Sequence, residues 1–200
     1  MRQKDYPTHD GRRVWLTADE AEQLMSKTDG TEEKLAFGLA LRCGLRVEEV
    51  CSVTPVDIVD TGAGEYVRVQ EGKGNKYREA PIPHALSETA SAFADVGDVA
   101  PDETLIRSEA TPSSATRWVQ RRLERRRDEL RSETKDEGWR FVTPHDLRRT
   151  WGQLLLDDGV EPGMVMEWGG WEDWETFREH YLGVYSVAKQ REERGKVGFL

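Results

Sequence analysis

Apolar residues along this chain recur at two spacings. From Thr17 to Leu45 they return every three or four positions, the period of a helix; between Val56 and Ile82 they alternate, the period of a strand; from His84 onward the helical spacing comes back. Thr17-Ala-Asp-Glu20 is a capping box and opens a first helix that carries Leu24 and Met25. A second helix is predicted from about Thr31 to Cys43. Leu35, Leu39 and Arg42 share one face there, but Phe37 and Leu41 make the others apolar too, so this helix should be buried nearly all round until Gly44 stops it. Val47 to Ser52 reads as one more short helix. Val56–Asp60, Tyr66–Gln70 and Lys76–Ile82 have strand composition, with Gly62-Ala-Gly64 and Gly72-Lys-Gly-Asn75 as turns and Pro81 and Pro83 as terminators. Further helices are predicted at His84–Ala94, Pro112–Arg131, Thr143–Asp158, Pro162–Trp168 and Trp174–Leu182, with Ala100–Thr111 an acidic loop. Thr143 caps the third of these, Pro144 takes its first position and Gly159 ends it. The expected fold class is α+β, mostly helical, with a small three-stranded antiparallel sheet. Residues 1–13, polar and aperiodic, read as a flexible lead-in.

Composition narrows the class. A chain of 200 residues can form one domain with a sizeable core. Charged residues make up 34% and the net charge is −9, which taken as a sum argues against nucleic acid. The basic residues are not evenly spread, however: they gather at Lys73–Arg78 and Arg121–Arg131, while acids dominate Asp98–Glu109 and Glu172–Glu175. Such an acidic exterior suits a protein kept in solution at high salt. Cys43 and Cys51 form no CxxC pair, so a reducing compartment is expected. No apolar run reaches the ~18 residues of a membrane span, and Met1–Arg13 lacks the apolar centre of a signal peptide. A soluble cytoplasmic protein with no membrane partner is the expectation.

Three basic segments carry candidate chemistry. Gly44-Leu-Arg-Val-Glu-Glu49 sets Arg46 at a helix start just after a glycine, where a guanidinium can grip two phosphate oxygens; the segment serves equally for an Arg paired with Glu48 or Glu49. Glu71-Gly-Lys-Gly-Asn-Lys-Tyr-Arg78 puts Lys73 on the tip of a glycine-rich hairpin, from which an ammonium can reach a site and protonate a leaving oxygen; alone it is also an ordinary solvated turn. Thr143-Pro-His-Asp-Leu-Arg-Arg-Thr-Trp151 is the most specific. His145 and Arg148 are three apart and so share a helix face near the N-terminus, where free amides and the helix dipole attract anions. No Asp, Glu and His residues fall at a recognisable metal-ligand spacing.

Taken in order, these segments resemble the tyrosine recombinase (phage integrase) family over roughly Val14 to Tyr185. That family places an Arg in a Gly-Leu-Arg segment, a Lys in a Gly-Lys-Gly hairpin, a His-x-x-Arg helix, a His or Trp, and a final Tyr. The matching positions are Arg46, Lys73, His145 and Arg148, with Glu49 at an acidic position the family often keeps. Trp168-Gly-Gly-Trp171 departs from the usual Leu-Gly-His, so Trp171 stands where a His is commoner; it can donate one indole N–H, or serve as a core aromatic beside Trp151, Trp168 and Trp174. The Tyr falls one residue later than usual, at Tyr181, which implies a one-residue insertion; Tyr185 is the near rival.

The resemblance implies a catalytic domain over 14–185 and a tail over 186–200 that docks on a neighbouring subunit. It implies strand breakage and rejoining through a 3′-phosphotyrosine, with no metal, nucleotide or other cofactor. The implied partner is double-stranded DNA, with a homotetramer assembled on it. Lys76, Arg78, Arg121, Arg122 and Arg125 are candidate phosphate contacts, although the arginines of 121–127 could instead pair locally with Glu124 and Asp128. The N-terminal helical domain that most members close around DNA has no expected counterpart in these residues, which implies weak binding on their own. Relaxation of DNA in the manner of type IB topoisomerases, and an inactive remnant that regulates integration or excision, are the alternative readings.

Overall fold

The structure is a computed structural model and describes residues 1–6, 10–72, 76–107, 111–180 and 187–198. It opens with a correction to the sequence reading. Residues 1–13 are not simply a flexible lead-in: strand β1 (Arg2–Asp5) pairs antiparallel with β2 (Arg12–Trp15), Arg2 opposite Trp15. No local periodicity announces β1, because its anchors lie far along the chain. Arg2 donates to Asp157 at 2.9 Å, and Arg149 donates to the Tyr6 hydroxyl at 2.7 Å.

The elements that follow obey their sequence signals. Helix α1 (Ala18–Ser26) starts on the capping box, with the Glu20 amide 3.2 Å from the Thr17 hydroxyl and the Thr17 amide 2.8 Å from the Glu20 carboxylate. Helix α2 (Thr31–Arg42) is sheathed on every side, and Leu35, Phe37, Leu39 and Leu41 are all buried. Even Glu33 is inaccessible, its charge met by Arg126 at 2.6 Å. After the short α3 (Val47–Val50) comes a 3₁₀ turn over Pro55–Asp57, tied by the Asp57 carboxylate to the Thr54 amide at 2.9 Å and hydroxyl at 2.7 Å. This turn takes Val56 and Asp57, the first two residues that alternation assigns to the first strand, so β3 begins two residues later (Ile58–Thr61). With β4 (Gly64–Gly72) and β5 (Lys76–Pro81) it forms an antiparallel sheet in the order β3-β4-β5. Val67 lies opposite Ala80, and Val69 opposite Arg78.

The rest is helical: α4 (His84–Val96), α5 (Pro112–Thr134), α6 (Pro144–Asp157), α7 (Pro162–Gly169), α8 (Trp174–His180) and α9 (Val187–Gly195). Asp146 fastens the start of α6, accepting from the Thr143 amide at 2.9 Å and the Thr143 hydroxyl at 2.6 Å. The buried side of α6 holds β2 as well. The Val14 amide donates to Asp146 and the Leu16 amide to the Thr150 hydroxyl, each at 3.0 Å.

The apolar interior falls into two parts. The larger gathers β2, α1 to α5 and the sheet around α2; the smaller consists of Trp151, Leu156, Val165, Trp171 and Phe177, from α6, α7 and α8 and the α7–α8 connection. The chain leaves α2 through Gly44 at φ +67°, a left-handed conformation that glycine adopts without strain. A Cβ there would stand 2.2 Å from the Trp151 ring. Gly44→Ala is therefore expected to cost about 1–3 kcal/mol. By thermal denaturation this should lower the midpoint by at least about 3 °C for a chain of this size; an unchanged midpoint would show that the turn does not rest on the indole.

Candidate active site

Four stretches of chain meet at one place: the turn from α2 into α3, strand β5, the first turns of α6, and the C-terminal end of α7. The α2–α3 turn supplies Arg46, the residue before the first turn of α3. Glu49 closes that turn, accepting from the Arg46 amide at 2.7 Å and from its guanidinium at 2.7 Å. The Arg46 side chain keeps about a fifth of its surface exposed, whereas Glu49 is buried.

Helix α6 carries both His145 and Arg148, and Arg148 is the one it brings into the cluster. His145 is exposed in the first turn; Arg148, three residues on, is fully buried. Its guanidinium donates to the Gly44 carbonyl, two residues before Arg46, and to the Gly169 carbonyl at 2.5 Å, and lies 4.2 Å above the centre of the Trp171 ring. Carbonyls at a helix C-terminus lack partners within the helix, so the end of α7 is a natural seat for a cation. Trp171 is held from beneath by Trp151 at 5.9 Å and Phe177 at 5.0 Å between ring centres. Gly169 leaves room for it, since a Cβ there would come within 2.1 Å of the indole. Trp171 is buried as a core aromatic, and its ring face supports the Arg148 charge.

Strand β5 contributes a residue whose place the sequence reading misses. Arg78, taken there as a phosphate contact with DNA, is turned inward and buried. Its guanidinium forks onto Glu49 at 2.9 and 2.7 Å, and its Nε donates to the Trp168 carbonyl at 3.0 Å. The signal was present in the alternation: Arg78 shares a face with Ala80 and Ile82, both buried. Burial by itself would raise the Glu49 carboxyl. The hydrogen bonds and charge of Arg78, the Arg46 amide and the nearby charge of Arg148 overturn that and hold it down at about 2.

The other sequence candidates divide. Lys73 and Tyr181, with the rival Tyr185, lie outside the described residues. Lys76 begins β5. On α5, Arg121 and Arg125 face outward, Arg125 with Glu129 at 3.3 Å. Arg122 leans over Trp118 and stands 3.7 Å from Glu33. Arg126 is buried against Glu33 and Glu129, and Arg127 donates to the Val142 carbonyl at 2.7 Å. Much of this basic run therefore fastens α5 to its neighbours.

The phage integrase family profile matches residues 14–186, and the chain belongs to that family. Among curated relatives, the tyrosine recombinase XerA of Thermococcus kodakarensis is 28% identical over 186 residues, covering 91% of this chain and 62% of the relative. A tyrosine recombinase of Thermosipho africanus is 27% identical, covering 76% of this chain and 51% of the relative. The chain thus spans from about half to three-fifths of the length of these relatives. Among solved structures, the XerA recombinase superposes with a TM-score of 0.69 at 20% identity, over 92% of this chain and 64% of that one. The XerH recombinase in a post-cleavage complex with palindromic difH substrate superposes with a TM-score of 0.68 at 18% identity, over 94% and 53%. These likenesses establish the fold as that of tyrosine recombinase catalytic domains.

The Glu49 pairing has a measurable pH signature. A carboxyl whose folded value lies below its ordinary 4.5 contributes stability that is present above 4.5 and is lost as the pH falls from there toward about 2. Glu49→Gln is expected to be less stable than the parent near neutral pH, and to lose less stability over that acid interval. Urea midpoints across the interval test this, and parallel acid limbs would refute it.

Proposed function

We propose that this chain is the catalytic portion of a tyrosine recombinase that cuts and rejoins double-stranded DNA at specific sites. One observation carries the reading: in a chain of the phage integrase family, Arg46 and Arg148 are fixed into one cluster through Glu49, Gly44 and the end of α7.

The chemistry follows from what a phosphodiester needs. Its charge must be neutralised as a nucleophile approaches, and the departing oxygen must receive a proton. Arg46 and Arg148 neutralise the non-bridging oxygens and stabilise the charge of the transition state. The burial of Arg148 strengthens its field, since little water screens it. Tyr181 attacks phosphorus, forming a 3′-phosphotyrosine as the bond to the 5′ oxygen breaks. A phenol is a weak nucleophile near neutrality, with a pKa of about 10, so His145 takes its proton or holds the phosphate in place. Lys73 protonates the leaving 5′ oxygen. A 5′ hydroxyl from another strand then reverses the attack, so the phosphotyrosine bond carries the energy of resealing. No nucleotide or metal enters this sequence of steps. Trp171 bears the Arg148 cation from below.

Outward arginines of α5, Arg121 and Arg125 among them, together with Lys76, supply contacts to the DNA backbone. A tetramer on DNA, with the 186–200 tail docked on a neighbouring subunit, completes the proposed assembly. The cytoplasm is the proposed compartment; among the described residues no helix is long and apolar enough to cross a membrane.

A pool of nicked duplexes with randomised arms, in which cleavage releases a short fragment that begins with the freed 5′ hydroxyl, tests the reading. The parent protein is expected to form a DNA adduct that survives SDS, and Tyr181→Phe to form none. An adduct that persists in Tyr181→Phe and vanishes in Tyr185→Phe would move the nucleophile to Tyr185. Arg148→Lys, which keeps the charge but loses the planar fork, is expected to slow adduct formation about 100-fold or more. A rate within about threefold of the parent would remove Arg148 from the site.

A further inference from the structure

We infer that Arg78 is a positioning residue that locks Arg46 and Arg148 into a single phosphate clamp. The inference rests on the recombinase reading above and concerns how its two arginines are held in register.

Arg46 and Arg148 come from elements 102 residues apart in sequence, as their positions show, and each is secured by a different neighbour. Arg46 is held by Glu49, at 2.7 Å. Arg148 is held by the end of α7, through the Gly169 carbonyl at 2.5 Å. Arg78 grips both of those neighbours. One edge of its guanidinium takes both oxygens of Glu49, at 2.9 and 2.7 Å, and its Nε takes the Trp168 carbonyl at 3.0 Å, one residue before the carbonyl that holds Arg148. Two guanidinium groups thus cap adjacent carbonyls of one helix end, and one of them also anchors the carboxylate that orients the third.

The surroundings are shaped for this bridge. Gly170 follows those carbonyls at φ +67°, and a Cβ on it would stand 2.8 Å from the Arg78 Cδ. Arg78 itself is buried, on the inner face of β5 with Ala80, so its fork is withdrawn from solvent. A buried, bidentate Arg–carboxylate pair with a third bond to a main-chain carbonyl has few alternative geometries. Lysine cannot reproduce it, because a single ammonium lacks the planar fork. Any slack at residue 78 therefore reaches both catalytic arginines, one through Glu49 and the other through α7.

Two forms of the scissile linkage, built into the nicked duplex recovered from the pool, distinguish positioning from mere support. A phosphodiester carries a negative charge that the clamp must meet. A methylphosphonate has one non-bridging oxygen replaced by methyl, is neutral, and has little use for aligned guanidiniums. Arg78→Lys is expected to form adduct on the phosphodiester about 100-fold more slowly than the parent, with duplex affinity unchanged; the lost buried bonds lower its thermal midpoint, but both linkages are assayed well below that midpoint, so this loss cancels between them. On the methylphosphonate its deficit is expected to shrink to about threefold. Should Arg78→Lys fail to fold, the pair Arg78→Met with Glu49→Gln, which removes both charges of the buried fork together, is compared with Glu49→Gln alone and is expected to show the larger selective loss, because Arg78 also holds the Trp168 carbonyl; equal losses would overturn the inference. An equal deficit on both linkages, or none on the phosphodiester, would overturn the inference while leaving the recombinase reading intact. A parent protein that forms no adduct on either linkage would overturn both.

Discussion

A single buried carboxylate organises the cluster. Glu49 is withdrawn from water, which on its own would make its charge costly. It is nevertheless held ionised, because Arg78 forks onto it and the backbone and side chain of Arg46 close over it. Breaking such a pair by removing one partner strands the other charge in a dry interior, which is far more damaging than never having had the pair. The four-residue helix α3, the direction of β5 and the placement of the α7 terminus all converge on keeping that charge satisfied.

Helix α6 has two tasks, divided residue by residue along Pro144–Asp157. His145 and Arg148 belong to the proposed phosphate site. Asp146, Arg149 and Thr150 belong to the frame: Asp146 accepts from Thr143 and Val14, Arg149 reaches Tyr6, and Thr150 takes the Leu16 amide. The run His145-Asp-Leu-Arg-Arg-Thr150 thus interleaves chemistry with attachment, and the N-terminal hairpin serves as a splint along the side away from the cluster. Rigidity of this kind suits charged groups that must stand ready before substrate arrives, since preorganised dipoles and cations need no rearrangement at the moment of reaction.

Much of this was legible in the residue pattern, and the failures have physical causes. The sheet, the capping box at Thr17, the sheathed α2 and the opening of α6 at Pro144 follow from periodicity and local hydrogen-bonding chemistry, which act over a few residues. Strand β1 does not, because Asp157 and Arg149, which fasten that end of the chain, lie at the far end of the sequence. Arg78 was misjudged for a different reason: proximity to Lys73 and Lys76 gave it the look of a surface cation, while its alternation with Ala80 and Ile82 put it inside. Charge clustering and strand period disagreed there, and the period was right. The arginines of α5 show the opposite lesson, since nothing local indicates that Arg126 will meet Glu33, 93 residues earlier.

The division of the apolar interior into a larger and a smaller part has a consequence for how the molecule comes apart. Arg148 sits on the seam: its aromatic bed, Trp171, belongs to the smaller part, while the Gly44 carbonyl it grips adjoins the larger. Partial opening of proteins follows such cooperative units. When the α7–α8 unit detaches, the Arg148 cation loses its ring and one of its carbonyls together, so fraying of that unit and release of the Arg148 guanidinium are one event.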